Sequence, residues 1–287
     1  MGLYKGKNMS TSQKVTWTIV SIFFGILSLS YLTILLWGFM SGGKTHSEII
    51  NDPFSLPKTW KFENYTDAFS RLKVGRTNFF GMLLNSIWYS VGGAVANVTC
   101  QACLAYISCK YKFKGSWLIY AMCMVTMIMP IYGSAGSMYR LVYGLGINDS
   151  PLIIVSAMSG IGMGFLMFHA FFENLSWAYA EAALIDGANH FTIFFRIMFP
   201  QCVGLYGSLL LMQWLAGWND YQSPLLYLTK MPTLASGLEE FRKETIQDQS
   251  RHILIAGLMM SSIPALILFA TFSNSLLKNM SLGGLKG

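Results

Sequence analysis

Six stretches of this chain, at about Val15 to Met40, Phe79 to Ile107, Trp117 to Met138, Leu152 to Phe172, Cys202 to Asn219 and Ile253 to Phe272, carry no ionisable side chain except cysteine, tyrosine and His169. Each is near the ~20 apolar residues that a helix needs to cross a hydrocarbon core. In that medium the backbone must bond to itself, so such segments are expected as helices and the chain as an all-α polytopic membrane protein. The first run is too long for a signal-peptide core and has no small-x-small cleavage site, so it is expected to stay as an uncleaved first span. With 53% hydrophobic and 11% charged residues, a large soluble catalytic domain is excluded. The net charge of +7 comes from basic residues scattered over many connections, without the continuous stripe that nucleic acid requires.

An even number of spans puts both termini on one side. Lys5, Lys7 and Lys14 before the first span, and Lys110, Lys112 and Lys114 in a tight connection, argue that this side is cytoplasmic. Over all connections the balance is nine Lys/Arg inside against eleven outside, so the short Lys-rich connection decides the orientation. The expected organisation is a cytoplasmic tail 1–14, a six-span body 15–277 with an inward loop 173–200 and a last outward loop 223–252, and a cytoplasmic tail 278–287. The first outward loop, 41–78, contains a short amphipathic helix around Asn64 to Phe69, and the last carries a mixed-charge helical pattern at Glu239 to Glu244.

Three features imitate chemistry. Cys100 and Cys103 have C-x-x-C spacing, but with no second Cys/His pair they read as packing residues and no metal site is expected. His169 is either a proton relay or, in the reading preferred here, a hydrogen-bonded packing residue. Gly38 to Thr45 matches the G-x-x-x-x-G-K-[ST] phosphate loop letter for letter. A phosphate loop needs a strand before it and a helix after it, and here a membrane span precedes and a Pro-containing loop follows, so a Gly-rich exit from the span is expected instead.

The informative segment runs from Ser176 to Pro200. Ser176 can cap a first short helix, Gly187 can take the left-handed conformation that ends it, and Asn189 can cap a second helix that runs to Pro200. Taken alone this is either a plain surface helix or a bent pair projecting from the inner face. Small residues at Ala182 and Ala183 would admit close approach of another protein.

Glu181-Ala182-Ala183, Gly187, Ile197 and Pro200 stand at the spacing of a known signature, and through them the chain resembles the permease subunits of bacterial ABC importers. Phe199 replaces the usual leucine. The resemblance runs from about Val15 to Gly287. Leu56-Pro57, Trp60, Phe62-Glu63-Asn64-Tyr65, Ala68-Phe69, Trp218-Asn219-Asp220 and Gly283 to Gly287 are similar to the MalG-like branch of carbohydrate importers. One departure is Leu234-Ala235-Ser236-Gly237-Leu238, where that branch commonly has Leu-Pro-x-Gly-Leu.

The resemblance implies a type I permease fold in the bacterial inner membrane and a coupling-helix pair contacting an ATPase through Glu181, Ala182, Ala183, Asp186, Gly187 and Ala188. A tail contact at Gly284, Lys286 and Gly287 goes with it. It implies as partners a second, MalF-like permease, two cytoplasmic ABC ATPase subunits, an extracytoplasmic solute-binding protein, a carbohydrate and membrane lipid. No catalytic residue and no cofactor are expected in this chain, ATP and magnesium belonging to the ATPases. Gln213, Trp214, Trp218, Asn219 and Tyr221 end the fifth span, with Trp214, Trp218 and Tyr221 on one helical face by i, i+4, i+7 spacing. They form either an interfacial aromatic belt or a sugar path. The alternatives kept open are a non-sugar solute and an ion-coupled secondary carrier.

Overall fold

The structure, a computed structural model, describes residues 10–111, 113–129 and 134–283, and their side chains outside 134 and 272–283. Lys5, Lys7, Lys112 and the expected tail contacts Gly284, Lys286 and Gly287 lie outside the described residues. Among the described residues the regular structure is helical. In order come α1 (Thr11–Gly42), α2 (His46–Asn51), α3 (Glu63–Arg71), α4 (Phe79–Lys110), α5 (Ser116–Ile128), α6 (Ser134–Gly144), α7 (Ile154–Ala157) and α8 (Met163–Asn174). There follow α9 (Ala178–Ile185), α10 (His190–Ile193), α11 (Phe199–Gln201), α12 (Val203–Asn219), α13 (Gln222–Tyr227), α14 (Leu234–Gln247) and α15 (Arg251–Gly283). Contacts divide the chain into two units, residues 1–71 with 242–262, and 72–241 with 263–287.

In the first unit, Ser10 and Gln13 form a capping box that starts α1. None of the most apolar 18-residue window of α1 is buried in the chain, so its environment is lipid or another subunit. Burial begins at its end, where a Cβ on Gly42 would meet the Tyr65 hydroxyl and the Ala256 backbone. Here the phosphate-loop lookalike resolves into something else. Lys44 is fully buried, and its Nζ donates to the carbonyls of Asp52 at 3.0 Å and Pro53 at 2.9 Å. Asn64 donates to the carbonyls of Gly42 and Lys44, both at 2.8 Å, and fastens α3 beneath the same turn. The amphipathic helix expected near Asn64 to Phe69 is α3. Thr45 and Glu48 cap α2 reciprocally, and the Thr45 backbone N–H holds the Glu48 carboxyl below its ordinary pKa.

The second unit is built on α4, with α8 and α12 packed along it. Close approach depends on small residues. A Cβ on Gly217 would lie 3.3 Å from the Ser90 Cα, and one on Gly92 would meet Ile154. The α4 span is uncharged but not apolar throughout. Thr99 bonds to the Tyr206 hydroxyl at 2.9 Å, and Ser86 Oγ accepts the Leu234 N–H at 2.7 Å.

Two expected spans are not continuous helices. Trp117 to Met138 is split into α5 and α6, because Pro130 disfavours helical geometry at Met129, which is extended at ψ 109°. Leu152 to Phe172 is split into α7 and α8 around Met158 to Gly162, with Gly162 at φ +155°. Irregular backbone at membrane depth needs partners from the protein. Asn97 supplies one to the Ala157 carbonyl at 2.6 Å, and Cys123 Sγ another to the Gly162 carbonyl at 3.5 Å. Among the described residues, α1, α4 and the stretch Arg251–Thr271 are long and apolar enough to cross unbroken. The segments His190–Gln201 and Val203–Asn219 make a pair bent by 79°.

Candidate coupling surface and transport cavity

In the segment after α8 the N-cap of α9 is Trp177, without a side-chain capping bond, one residue past the expected Ser176, whose Oγ accepts the Ala178 N–H at 3.3 Å; α9 runs to Ile185 with Asp186 as its C-cap. Gly187 sits at φ +79°, Ala188 N–H bonds to the Ala183 carbonyl at 2.9 Å, and Gly187 N–H bonds to that of Leu184 at 3.0 Å. This pair of bonds is a Schellman turn, which glycine adopts at little steric cost. Asn189 then accepts the Thr192 N–H at 2.8 Å and starts the second limb. That limb contains a π-helical turn, Phe194–Met198, which capping residues do not announce.

The elbow has a buried side and an outward side. Ala180 and Ala183 face the core with Phe172, Ile193, Phe194 and Met198. Of the expected coupling residues, Ala183 is 8% exposed and Ala188 half-buried, and both pack in or against their own chain's core, whereas Ala182 is exposed. The reason is helical phase, since Ala180 and Ala183 are three apart and share the face that α9 buries. Glu181, Ala182, Leu184, Ile185, Asp186 and Gly187 point outward, with Ile185 87% exposed. Below them Tyr111 bonds to His190 Nδ1 at 2.9 Å, and Lys110 Nζ donates to the Leu175 carbonyl at 2.6 Å, tying both limbs to the end of α4.

A polar cavity of about 540 Å³ lies between α4, α6, α7, α12 and α13. Gln213, Ser90, Ser156, Gln222 and Tyr227 line it, and Asp220 is the one carboxylate among its lining residues. Asp220 accepts from the Tyr89 hydroxyl at 3.0 Å and from the Ser223 N–H at 3.1 Å. Of the five residues expected on the path, Gln213 alone reaches this cavity. Trp214 and Trp218 are each 8% exposed and pack on one another at 6.0 Å. Trp214 lines a separate apolar groove with Val91 and Leu268. Asn219 turns its amide back to the Leu215 carbonyl at 2.8 Å, and Tyr221 is exposed beyond the helix end. The i+7 spacing fails because α12 stops at Asn219 and Asp220 is extended at ψ 111°. Tyr89 was not among the residues expected on the path, and Asp220 entered only through the Trp218-Asn219-Asp220 motif, although it stands as a carboxylate directly after an uncharged span.

His169 packs on Tyr120 at 4.9 Å and lies 4.0 Å from Glu173, one turn along α8. Cys103 and Cys202 pack in or against the same apolar core.

Residues 101–281 match the family described as "Binding-protein-dependent transport system inner membrane component". The chain belongs to that family. This inner membrane component is 27% identical over 261 residues to the diacetylchitobiose uptake system permease protein NgcG of Streptomyces coelicolor, covering 89% of this chain and 84% of that one. It is 27% identical over 273 residues to the arabinooligosaccharides transport system permease protein AraQ of Bacillus subtilis, covering 93% and 95%. Its fold matches a chain in the crystal structure of a bacterial ABC transporter involved in the import of the acidic polysaccharide alginate. There the TM-score is 0.70, the identity 21%, and the coverage 93% of this chain and 99% of that one. The match includes the whole elbow and all of the cavity except its α4 wall at Tyr89 to Ala94. The protein is therefore a multi-pass membrane transport permease component with the ABC importer permease fold.

Proposed function

We propose that this permease component imports a carbohydrate by alternating access, paired with a second permease, driven by two cytoplasmic ATPase subunits and loaded by an extracytoplasmic solute-binding protein. Both termini and the elbow face the cytoplasm in this reading, and 15–277 is the six-span body. ATP and magnesium sit in the partners, with no catalytic residue here. Glu181, Ala182 and Asp186 meet the ATPase, and Gly187 gives the bend. Ala183 and Ala188 hold the elbow to its own spans, so that movement of the elbow moves α12.

The observation that carries this reading is the outward face of α9. Tyr179, Leu184 and Ile185 are exposed beside Glu181 and Asp186 on a helix anchored from behind, an apolar patch rimmed by carboxylates that favours cover by another protein. The cavity supports a sugar as cargo, because hydroxyl, amide and carboxylate groups alternate there with the Met138 and Leu226 side chains. The names of the relatives above favour oligosaccharides over other solutes.

The test is an Ile185→Cys variant in a whole transporter, cross-linked by a short bifunctional thiol reagent, together with radiolabelled oligosaccharide uptake in cells emptied of ATP. A cross-link to a cytoplasmic ATPase and loss of uptake without ATP are expected. Uptake that persists without ATP but collapses with the proton or sodium gradient would instead assign an ion-coupled carrier.

A further inference from the structure

A second cavity, of about 740 Å³, lies wholly within the first unit, among α2, the last turn of α14 and the first turns of α15. Its lining is of two kinds: Ile49, Ile50, Ile246, Leu254 and Ile255 are aliphatic, and Arg251, His46 and Gln249 are polar. Arg251 is exposed and makes no ion pair among the described residues, and no carboxylate lines the cavity. The nearby Asp248 lies 3.6 Å from Arg71 instead. His46 Nδ1 is buried without a hydrogen-bond partner.

The cavity also has a definite level relative to the membrane. Arg251 opens a span, and α1, which also spans, ends at Gly42 just before α2, so the cavity stands at the edge of the hydrocarbon layer. Leu254 and Ile255 lie one turn deeper on the Arg251 face of α15, about 5–6 Å towards the membrane interior. Charge at the surface and aliphatic side chains one turn below match a phosphate diester with acyl chains beneath it. Gln249, at φ +56°, holds the left-handed position of the turn between α14 and α15, where Ser250 N–H bonds to the Thr245 carbonyl at 2.9 Å. Glycine would fill that position without steric cost, and the residue present instead brings an amide to the cavity.

We propose that this cavity binds one glycerophospholipid of the surrounding leaflet, with its phosphate on Arg251 and His46 and an acyl chain along Leu254 and Ile255. An exposed Arg251 without an ion pair among the described residues, set one turn above Leu254 and Ile255, fits a phosphate-bearing lipid better than a protein segment, which would leave the charge to be paired separately.

The assembled transporter, purified with its subunits and placed in nanodiscs, is exposed to phosphatidylglycerol bearing a photoreactive group in the acyl chain, and labelled peptides are read by mass spectrometry. Label is expected at Leu254 or Ile255. Unlabelled phosphatidylglycerol should compete about tenfold better than diacylglycerol, the effect of one charge-assisted contact. Arg251→Gln should lower labelling by a similar factor, with Arg251→Lys restoring most of it and both variants assembling normally. Equal competition by diacylglycerol, or labelling indifferent to Arg251→Gln, would overturn the proposal. Displacement by millimolar inorganic phosphate would reassign the cavity to a free anion, and absence of label in the assembled transporter would assign it to a protein subunit.

Discussion

Replacing Gly187 by alanine tests the elbow with a magnitude that the structure defines. A Cβ at this position meets nothing within 4 Å, so the substitution adds no clash and its cost is that of holding an L residue at φ +79°. That cost is about 1–2 kcal/mol, which reduces the population of the intact turn by a factor of about 5–30. The damage should stay local, because Ala180 and Ala183 anchor α9 from its buried side. Hydrogen exchange at the Ala188 amide reads the turn directly, since that N–H bonds to the Ala183 carbonyl at 2.9 Å. Exchange should quicken by the same factor in Gly187→Ala and by less in Gly187→Asn, because asparagine tolerates the left-handed region better. Gly187→Asp adds a second carboxylate beside Asp186 and should abolish sugar uptake while leaving membrane insertion intact. Unchanged protection of the Ala188 amide in Gly187→Ala, or normal uptake by Gly187→Asp, would refute the argument.

Other perturbations separate structure from chemistry. Lys44→Met should be close to neutral for stability, because the Pro53 carbonyl keeps its bond from Trp37 Nε1 and the Asp52 carbonyl its bond from Ser55, so neither is orphaned. Lys44→Ala should lower the melting temperature by opening a void worth about 2–5 kcal/mol, and neither variant should alter the transporter's affinity for ATP. Burial pushes the Tyr65 phenol up to about 12 from an ordinary 10.0. Below pH 10 folded and unfolded chains both hold the proton, and between 10 and about 12 the unfolded chain loses it first, so the loop around α3 should lose stability as pH rises through that window. The melting temperature followed from pH 9 to 12 in the parent and in Tyr65→Phe measures this, and equal slopes in the two would contradict it. Asp220→Asn should keep uptake near normal, whereas Asp220→Ala leaves the Tyr89 hydroxyl and the Ser223 N–H without their acceptor. It should cut the uptake rate at least fivefold, an effect of about 1–3 kcal/mol.

Where the sequence was legible, the reason was local. Gly187 and Asn189 specify the elbow through conformation and capping within a few residues, and α3 and α14 follow from amphipathic or mixed-charge patterns. The breaks inside two spans were less visible, since Pro130 and the Gly160 to Gly162 stretch sit in runs whose hydropathy never falters. What makes the second break tolerable is Asn97, sixty residues from the carbonyl it satisfies. Residue type also left the direction of side chains open. Ala182 and Ala183 are alike on paper, and packing sends one outward and the other into the core. The cavity was missed at Tyr89 because its partner Asp220 lies 131 residues away and belongs to no helix.

The bareness of α1 has an evolutionary consequence. A segment whose flanks meet solvent-like lipid or a neighbouring subunit is selected for oiliness and length, whereas α4 is selected for shape at every turn. Across descendants of this gene, substitutions among leucine, isoleucine, valine and phenylalanine should therefore accumulate freely between Val15 and Leu35. They should be rare at Ser90 and Gly217, where two backbones nearly touch.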